Sequence, residues 1–379
     1  MKKIAIIGGS YLQQPAVEMA QACGYEVHCF AWREGATCDK VADYFYPISI
    51  VEKEQILEKC EEIGIDGITT IASDVAVPTV CYVAERMGLI GNGYENALKS
   101  TNKYLMSCCF AEAGIPAPAF CRVKAGDDLS ALSAFSLPMI VKPTDRSGSL
   151  GVEIIKQRER LIPALTKACD YSFRQEAIVE EYIEGREVSV ESISWKGQHY
   201  ILQITDKVTT GEPYFVELEH HQPSNLPSDI QERIRELVPR ALDALLIRYG
   251  ASHTEIKITP TGELFIIEIG ARMGGDFIGS TLVKLSTGYD FLKGVIEVAL
   301  GDFHEPIIIE HNYSGVYFLS KETQYLKPII ENWKKHPEIV EAEMTDLELR
   351  NIKCSGDRSG YFIYQNDHRL EFINHLCDV

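Results

Sequence analysis

The chain has 379 residues, enough at roughly 100–200 residues per domain for two or three domains with cores of their own, so a single small module is excluded. Apolar residues make up 45% and charged residues 24%, with 28 Gly and 16 Pro, a globular composition that excludes a disordered or fibrous chain. Lys plus Arg number 37 against 55 Asp plus Glu, and the net charge of −18 sets aside nucleic acid and anionic membranes as bulk partners, while a local basic pocket for a small phosphate ligand stays compatible with it.

The chain opens MKKIAIIGGSYLQQ, whose apolar run is too short for the core of a signal peptide, and no later segment offers 18 uninterrupted apolar residues for a membrane span. A cytoplasmic protein is expected. KIAIIGG reads as a buried strand, followed by a helix to about Cys23, the strand YEVHCFAW, a helix over 52–63 and the strand GITTIAS. This alternation predicts a parallel α/β sheet. Gly8-Gly9-Ser10 lacks a third glycine at the dinucleotide spacing, which argues against a nicotinamide or flavin site. Gly9, Ser10, Ser73 and Asp74 follow strands, where such sheets line ligand crevices, although turn and cap chemistry explains them equally well. Residues 78–113 read as two helices, the second carrying Lys103, and AGIPAPAF marks a domain edge.

Next come a strand (LPMIVKP), a glycine-containing loop (TDRSGSLG), a strand (VEII), a helix over 159–168 and the strands AIVEEYI and EVSVESISW. HTEIKITPTGELFIIEIG is a hairpin with Pro260 and Gly262 in its turn, and from about 306 onward PIIIE, SGVYFLS and GYFIY read as strands before a C-terminal helix. Eleven cysteines are scattered with no CxxC pair, which excludes zinc spacing and predicts buried, reduced thiols.

Three segments carry chemistry. A loop of residues 260–263, or of Thr261-Gly262 alone, pairs positions that sum to 523 and sets Glu255 directly opposite Glu268. Like charges so placed destabilise a sheet unless something compensates, and two converging carboxylates suit Mg²⁺, with solvated edge charges as the alternative. Lys142 ends the PMIVK strand ahead of Ser147-Gly148-Ser149-Leu150-Gly151, a turn whose amides can cradle phosphate beside a lysine point charge. The lysine precedes the glycines, so this is no Walker loop, and a plain hairpin turn is the other reading. In VEEYIEGRE, Glu180 closes one strand and Glu187 begins the next, leaving a linker that could meet a base edge and a ribose.

In series, the lysine in STNKYLMS, PMIVKP, SGSLGV, VEEYIEGREVSVE and TEI…IIEIGARMGG resemble the ATP-grasp superfamily over about residues 1–300. The resemblance implies a parallel α/β pre-ATP-grasp domain (1–98), an ATP-grasp α+β domain (99–305) with a lid subdomain at about 118–182, and a β-rich C-terminal subdomain (306–379). It implies ATP and Mg²⁺, with Mn²⁺ compatible in its place. Lys103 and Lys142 would contact phosphates under the loop 147–151, including Ser147, Gly148 and Ser149, and Glu180, Glu181, Tyr182 and Ile183 would form the adenine hinge. Glu187 would hold the ribose, and Glu255 and Glu268 the metal. Arg272 would stabilise an acyl phosphate or bind the acid, with a salt bridge to Glu255 or Asp276 as its plainer alternative.

The implied activity is ADP-forming carboxylate–amine ligation, closest in look to L-amino acid ligases, with small-molecule acid and amine partners and room for a homodimer. One departure is Gly270, where the family commonly has an Asn that contacts metal. A phosphoribosylglycinamide synthetase-type purine ligase and a non-catalytic nucleotide-binding module are the alternatives. A biotin-dependent carboxylase is disfavoured by the absence of a Met-Lys-Met carrier motif.

Overall fold

The structure, a computed structural model, describes residues 1–371. The opening apolar runs form β1 (Lys3–Ile7), β2 (Glu26–Phe30), β3 (Tyr44–Tyr46) and β4 (Gly67–Thr69), all parallel in the order β3-β2-β1-β4. Helices α1 (Gln14–Ala22), α2 (Lys53–Ile63) and α3 (Val77–Met87) pack around this sheet, as parallel strands buried on both faces require. Residues 78–113 hold three helices rather than two: the end of α3, α4 (Tyr94–Thr101) and α5 (Lys103–Ala113). Asn102 makes the extra break. Its extended backbone ends α4, and its side chain caps α5 by accepting from Leu105 N at 3.0 Å, so Lys103 sits in the first turn of α5.

A second sheet, ordered β5-β8-β6-β7, is antiparallel and small: β5 (Phe120–Lys124), β6 (Met139–Pro143), β7 (Glu153–Ile155) and β8 (Glu176–Glu181). Helix α6 (Leu161–Tyr171) buries Leu161, Ala164, Leu165 and Ala168, the i, i+3, i+4, i+7 stripe of an amphipathic helix, against Val123, Met139, Val141 and Val179.

The third sheet has eight antiparallel strands ordered β13-β12-β9-β10-β11-β14-β16-β15. These are β9 (Arg186–Trp195), β10 (Gln198–Thr209), β11 (Glu217–Gln222), β12 (Gly250–Ile258), β13 (Leu264–Gly270), β14 (Tyr313–Leu319), β15 (Ile339–Met344) and β16 (Gly360–Asn366). Side chains alternate across it. Val188, Val190, Ile256 and Ile266 point to α7 (Ser228–Ala244), which buries Ile234, Val238 and Leu242 on them. Glu187, Ser189 and Glu191 therefore take the opposite face. After α8 (Val283–Thr287), helix α9 (Phe291–Leu300) buries every residue except Lys293, packing Val295, Ile296 and Ala299 among Ile4, Ile6, Val17, Ile193 and Leu202. A single core thus joins the first sheet to the third.

The hairpin turn differs from the expected one. Ile258 pairs with Leu264, so three residues (260–262) form the loop and the sum near the turn is 522. Gly262 at φ +83° supplies the left-handed residue that closes such a loop. A bulge at Ile267 restores the sum of 523, and Glu255 does face Glu268. PIIIE forms no strand: Ile309 and Glu310 donate to Thr287 O at 3.0 and 3.1 Å, and Ile307 and Ile309 are exposed. Of ten described cysteines, all free, only Cys29, Cys38, Cys60 and Cys81 are buried, and Cys354 is exposed. The expected C-terminal helix lies outside the described residues. No helix among those described is long and apolar enough to cross a membrane.

Candidate active site

The open face of the third sheet carries a lattice of alternating charges, set by direct cross-strand pairing. His253 stands opposite Glu191, Glu255 opposite Ser189 and Lys257 opposite Glu187 on the β12–β9 ladder. Lys207 on β10 reaches into the middle, its Nζ 2.6 Å from Glu187 and 2.7 Å from Glu255, with Glu217 at 3.6 Å. Lys257 meets Glu187 from the other side at 3.3 Å. Burial disfavours a charge on Lys207, yet the three carboxylates around it hold its pKa well above the ordinary lysine value.

The two hairpin carboxylates are each matched by an ammonium. Glu255 has Lys207, and Glu268 accepts from Lys103 Nζ at 2.9 Å. Burial would raise the Glu255 pKa, but Lys207 and His253 hold it well below the carboxylate range. His253 is buried, which works against its charge, but Glu191 and Glu255 raise its pKa to about 9. Its Nδ1 donates to Glu191, whose other oxygen accepts from Gly274 N at 3.0 Å. The close approach of that loop requires glycine: a Cβ on Gly274 would lie 2.7 Å from both Glu191 Oε1 and His253 Nδ1.

On the second sheet, Lys142 on β6 and Glu180 on β8 form a buried pair at 2.6 Å, and Glu180 lies near enough to Lys103 to favour its charge. Ile183 is buried just beyond, while Glu181 is exposed and turns toward Ala119 N. Burial raises the Tyr182 phenol, with Glu212 adding to the shift. The loop 147–150 is exposed at the cleft mouth, with Gly148, Ser149 and Gly151 at φ of +64°, +56° and +77°. Its base is anchored: Lys103 Nζ donates to Arg146 O at 2.7 Å, and Arg146 lies over the Phe173 ring at 4.1 Å. Thr144 Oγ1 and Arg146 Nε are buried there with no hydrogen-bond partner among the described residues. Lys103 thus touches both the glycine loop and a hairpin carboxylate.

Arg272 is paired with neither Glu255 nor Asp276. Its Nε and Nη2 donate to Asp74 Oδ1 and Oδ2 at 2.9 and 2.8 Å, a two-pronged contact with the loop after β4. Asp276 pairs instead with Arg358 at 2.7 Å.

Lys103, Glu255, Glu268 and Arg272 therefore share one cluster with Asp74 and His253, and Lys103 links it to the base of the glycine loop and to Glu180. Glu187 joins it through Lys207. Sequence reasoning missed Lys207, Glu191, His253 and Arg146. His253 is visible in HTEIK two residues before Glu255 and so on the same strand face, but Lys207 lies in no glycine- or carboxylate-rich segment. The metal fit is reasonable. Among the described residues no three His, Cys, Asp or Glu side chains stand ready to hold an ion, and two opposed carboxylates suit a hard cation that takes its other ligands from phosphate oxygens and water. Lys103, Lys142 and the exposed glycine loop are the groups that could hold a polyphosphate.

Residues 135–280 match the ATP-grasp domain family. The alanine–anticapsin ligase of Bacillus subtilis (strain 168) is 30% identical over 245 residues, 59% of this chain and 51% of that protein. The D-alanine–D-alanine ligase of Desulforudis audaxviator is 28% identical over 194 residues, 48% of this chain and 62% of the other. The chain thus spans about half to three fifths of the length of these curated relatives. The crystal structure of an L-amino acid ligase from Bacillus licheniformis shares the fold with a TM-score of 0.80 at 23% identity, covering 97% of this chain and 94% of that one. A phosphoribosylglycinamide synthetase from Anaerococcus prevotii shares it at 0.77 and 21%, with the same coverage.

Proposed function

We propose that this chain, whose residues 135–280 match the ATP-grasp domain family, is an ADP-forming carboxylate–amine ligase acting on an amino acid or similar small acid. The observation that carries the reading is the convergence of Glu255, Glu268, Lys103, Lys207 and Arg272 on one cleft whose mouth is the 147–151 loop. Phosphoryl transfer asks for in-line positioning and charge neutralisation more than for a covalent nucleophile, and these groups offer both. The acid's carboxylate oxygen attacks the γ-phosphorus, ADP leaves, and an amine then displaces phosphate from the acyl phosphate with loss of a proton.

In this reading Lys103, Lys142 and Lys207 hold the phosphates, Arg146 and the loop amides cover them, 180–183 meet the adenine and Glu187 the ribose. Lys142 and Arg272 are the candidates for contact with the transferring group. A magnesium ion held by Glu255 and Glu268 would neutralise phosphate charge. The chain's own task is to keep Glu255 ionised, which Lys207 and His253 do, and to hold Glu268 in place, which Lys103 does. Closure of the loop would keep water from the acyl phosphate. The amino-acid class follows the ligases named above, and the use of ATP is consistent with a cytoplasmic location. Residues 1–98, 99–305 and 306–379 are the proposed N-terminal, nucleotide-binding and C-terminal units.

An ADP-release screen over pairs of amino acids and small acids, with a phosphoribosylamine-plus-glycine arm, tests this. Release that needs an amino acid and an amine together supports it. Release only in the phosphoribosylamine arm selects the purine-type ligase, and nucleotide binding without release in any arm selects a non-catalytic module.

A further inference from the structure

We propose that Asp74, delivered from the N-terminal sheet, is the positioning residue for Arg272, and that position 270 is glycine because the Asp74 carboxylate occupies the space a side chain there would need. A Cβ on Gly270 would lie 2.6 Å from Asp74 Oδ1 and 3.1 Å from Arg272 Cζ, nearer than side-chain carbons approach oxygen. Both obstructing atoms belong to the ion pair itself, so the glycine and the pair are one device.

The loop that carries Asp74 is shaped for this contact. Ala72 sits at φ +57°, a left-handed conformation costly for alanine, and its amide donates to Met273 O at 3.1 Å. That bond docks the loop after β4 on the residue next to Arg272. Asp74 then takes two guanidinium hydrogens, and Arg272 Nη1 reaches Met273 O at 3.3 Å. Ion pairing leaves Arg272 little freedom: both side chains are about 15% exposed or less. A guanidinium clamped along two edges presents its remaining N–H groups in one direction, as binding a planar carboxyl or acyl phosphate group demands. A side chain at position 270 would therefore have to displace the Asp74 carboxylate from Arg272, and the N-terminal sheet becomes part of the acid site.

This inference rests on the ligase reading for the role of Arg272, and its test separates the two. Asp74→Ala, Asp74→Asn, Gly270→Ala and the double variant Asp74→Ala/Gly270→Ala are compared by thermal unfolding, by calorimetric binding of a non-hydrolysable ATP analogue, and by KM for the acid and for ATP. Gly270→Ala should lower the unfolding midpoint, whereas the same change on the Asp74→Ala background should cost little or nothing further, because the obstructing oxygen has gone. Asp74→Ala and the isosteric Asp74→Asn should raise KM for the acid by at least tenfold while nucleotide affinity and KM for ATP stay within a few-fold. Additive losses of stability, or Asp74→Asn and Asp74→Ala with wild-type KM for the acid, would overturn the proposal. If no acid stimulates ADP release from the wild type, the ligase reading fails, and the stability cycle still decides whether Asp74 and Gly270 are coupled.

Discussion

Lys207 carries more of the site's electrostatics than any residue the motifs point to. Its side chain is 4% exposed, and its ammonium holds Glu187, Glu217 and Glu255 within salt-bridge reach. Replacing it with methionine leaves three carboxylates facing one another without the ammonium between them. Lys207→Met should therefore lose about 1.5–3 kcal/mol of stability, the scale of charged hydrogen bonds, and should regain part of it in millimolar Mg²⁺. Chemical denaturation with EDTA or with Mg²⁺ measures this, and equal stability in both would contradict the assignment of Glu255 to a cation site. Glu268→Gln should keep the fold and lose Mg²⁺-dependent ADP release, since Lys103 can still hydrogen-bond the amide while one metal oxygen is gone. Lys142→Ala should raise the ATP dissociation constant at a cost on the order of 1–3 kcal/mol, read by calorimetry. Such long-range partners were invisible in the sequence. Asp74 and Arg272 are separated by 198 positions, and nothing local in either segment says they meet.

Strands, helices and turns were more legible than these contacts, because periodicity and turn chemistry act within a few residues. The opposition of Glu255 and Glu268 followed from the hairpin pattern, but through a turn of the wrong length whose one-residue error the Ile267 bulge cancels. Bulges leave no pattern of their own, so that compensation could not be read in advance. PIIIE looks like a strand on composition alone, yet its amides turn to Thr287 and its isoleucines face outward. The glycine loop is the element with the clearest dynamic consequence. Residues 147–150 are exposed with few side chains to pack, while Lys103 and Arg146 fix only the base. Amides of Ser147, Gly148 and Ser149 should exchange rapidly without nucleotide and slow by tenfold or more with an ATP analogue and Mg²⁺. Equal exchange in both conditions would count against a phosphate-covering role.

The molecule as a whole is acidic, and its cleft is a mosaic in which each carboxylate has a cation beside it. Buried histidines outside that mosaic set its response to acid. Burial lowers the pKa of His28 and His221, and it lowers that of His220 much further, helped by Lys207 and Arg358. Both ring nitrogens of His220 lack a hydrogen-bond partner among the described residues. A histidine with a depressed folded pKa takes its proton first in the unfolded chain, so stability is intact above the unfolded value of about 6.5 and falls as pH drops below it. Each such group contributes a slope of up to about 1.4 kcal/mol per pH unit. Urea midpoints should drop between pH 6.5 and 5, and His220→Leu should flatten that drop by close to one proton, whereas an unchanged slope would show that His220 charges freely in the fold.

The architecture itself followed from the alternation of buried strands with helices and from the order of the motifs. The core shared through α9 did not, since α9 reads only as an apolar helix until its neighbours are seen.

In the proposed reaction a carboxylate of the acid attacks the γ-phosphate within this cleft. This step is tested most directly by supplying the best acid of the substrate screen with ¹⁸O in both carboxyl oxygens, together with ATP, Mg²⁺ and the amine, and weighing the phosphate released. Passage through an acyl phosphate leaves one carboxyl oxygen on phosphate, so one ¹⁸O per phosphate is the predicted result. Phosphate free of ¹⁸O, formed at the same rate as the amide, would contradict it.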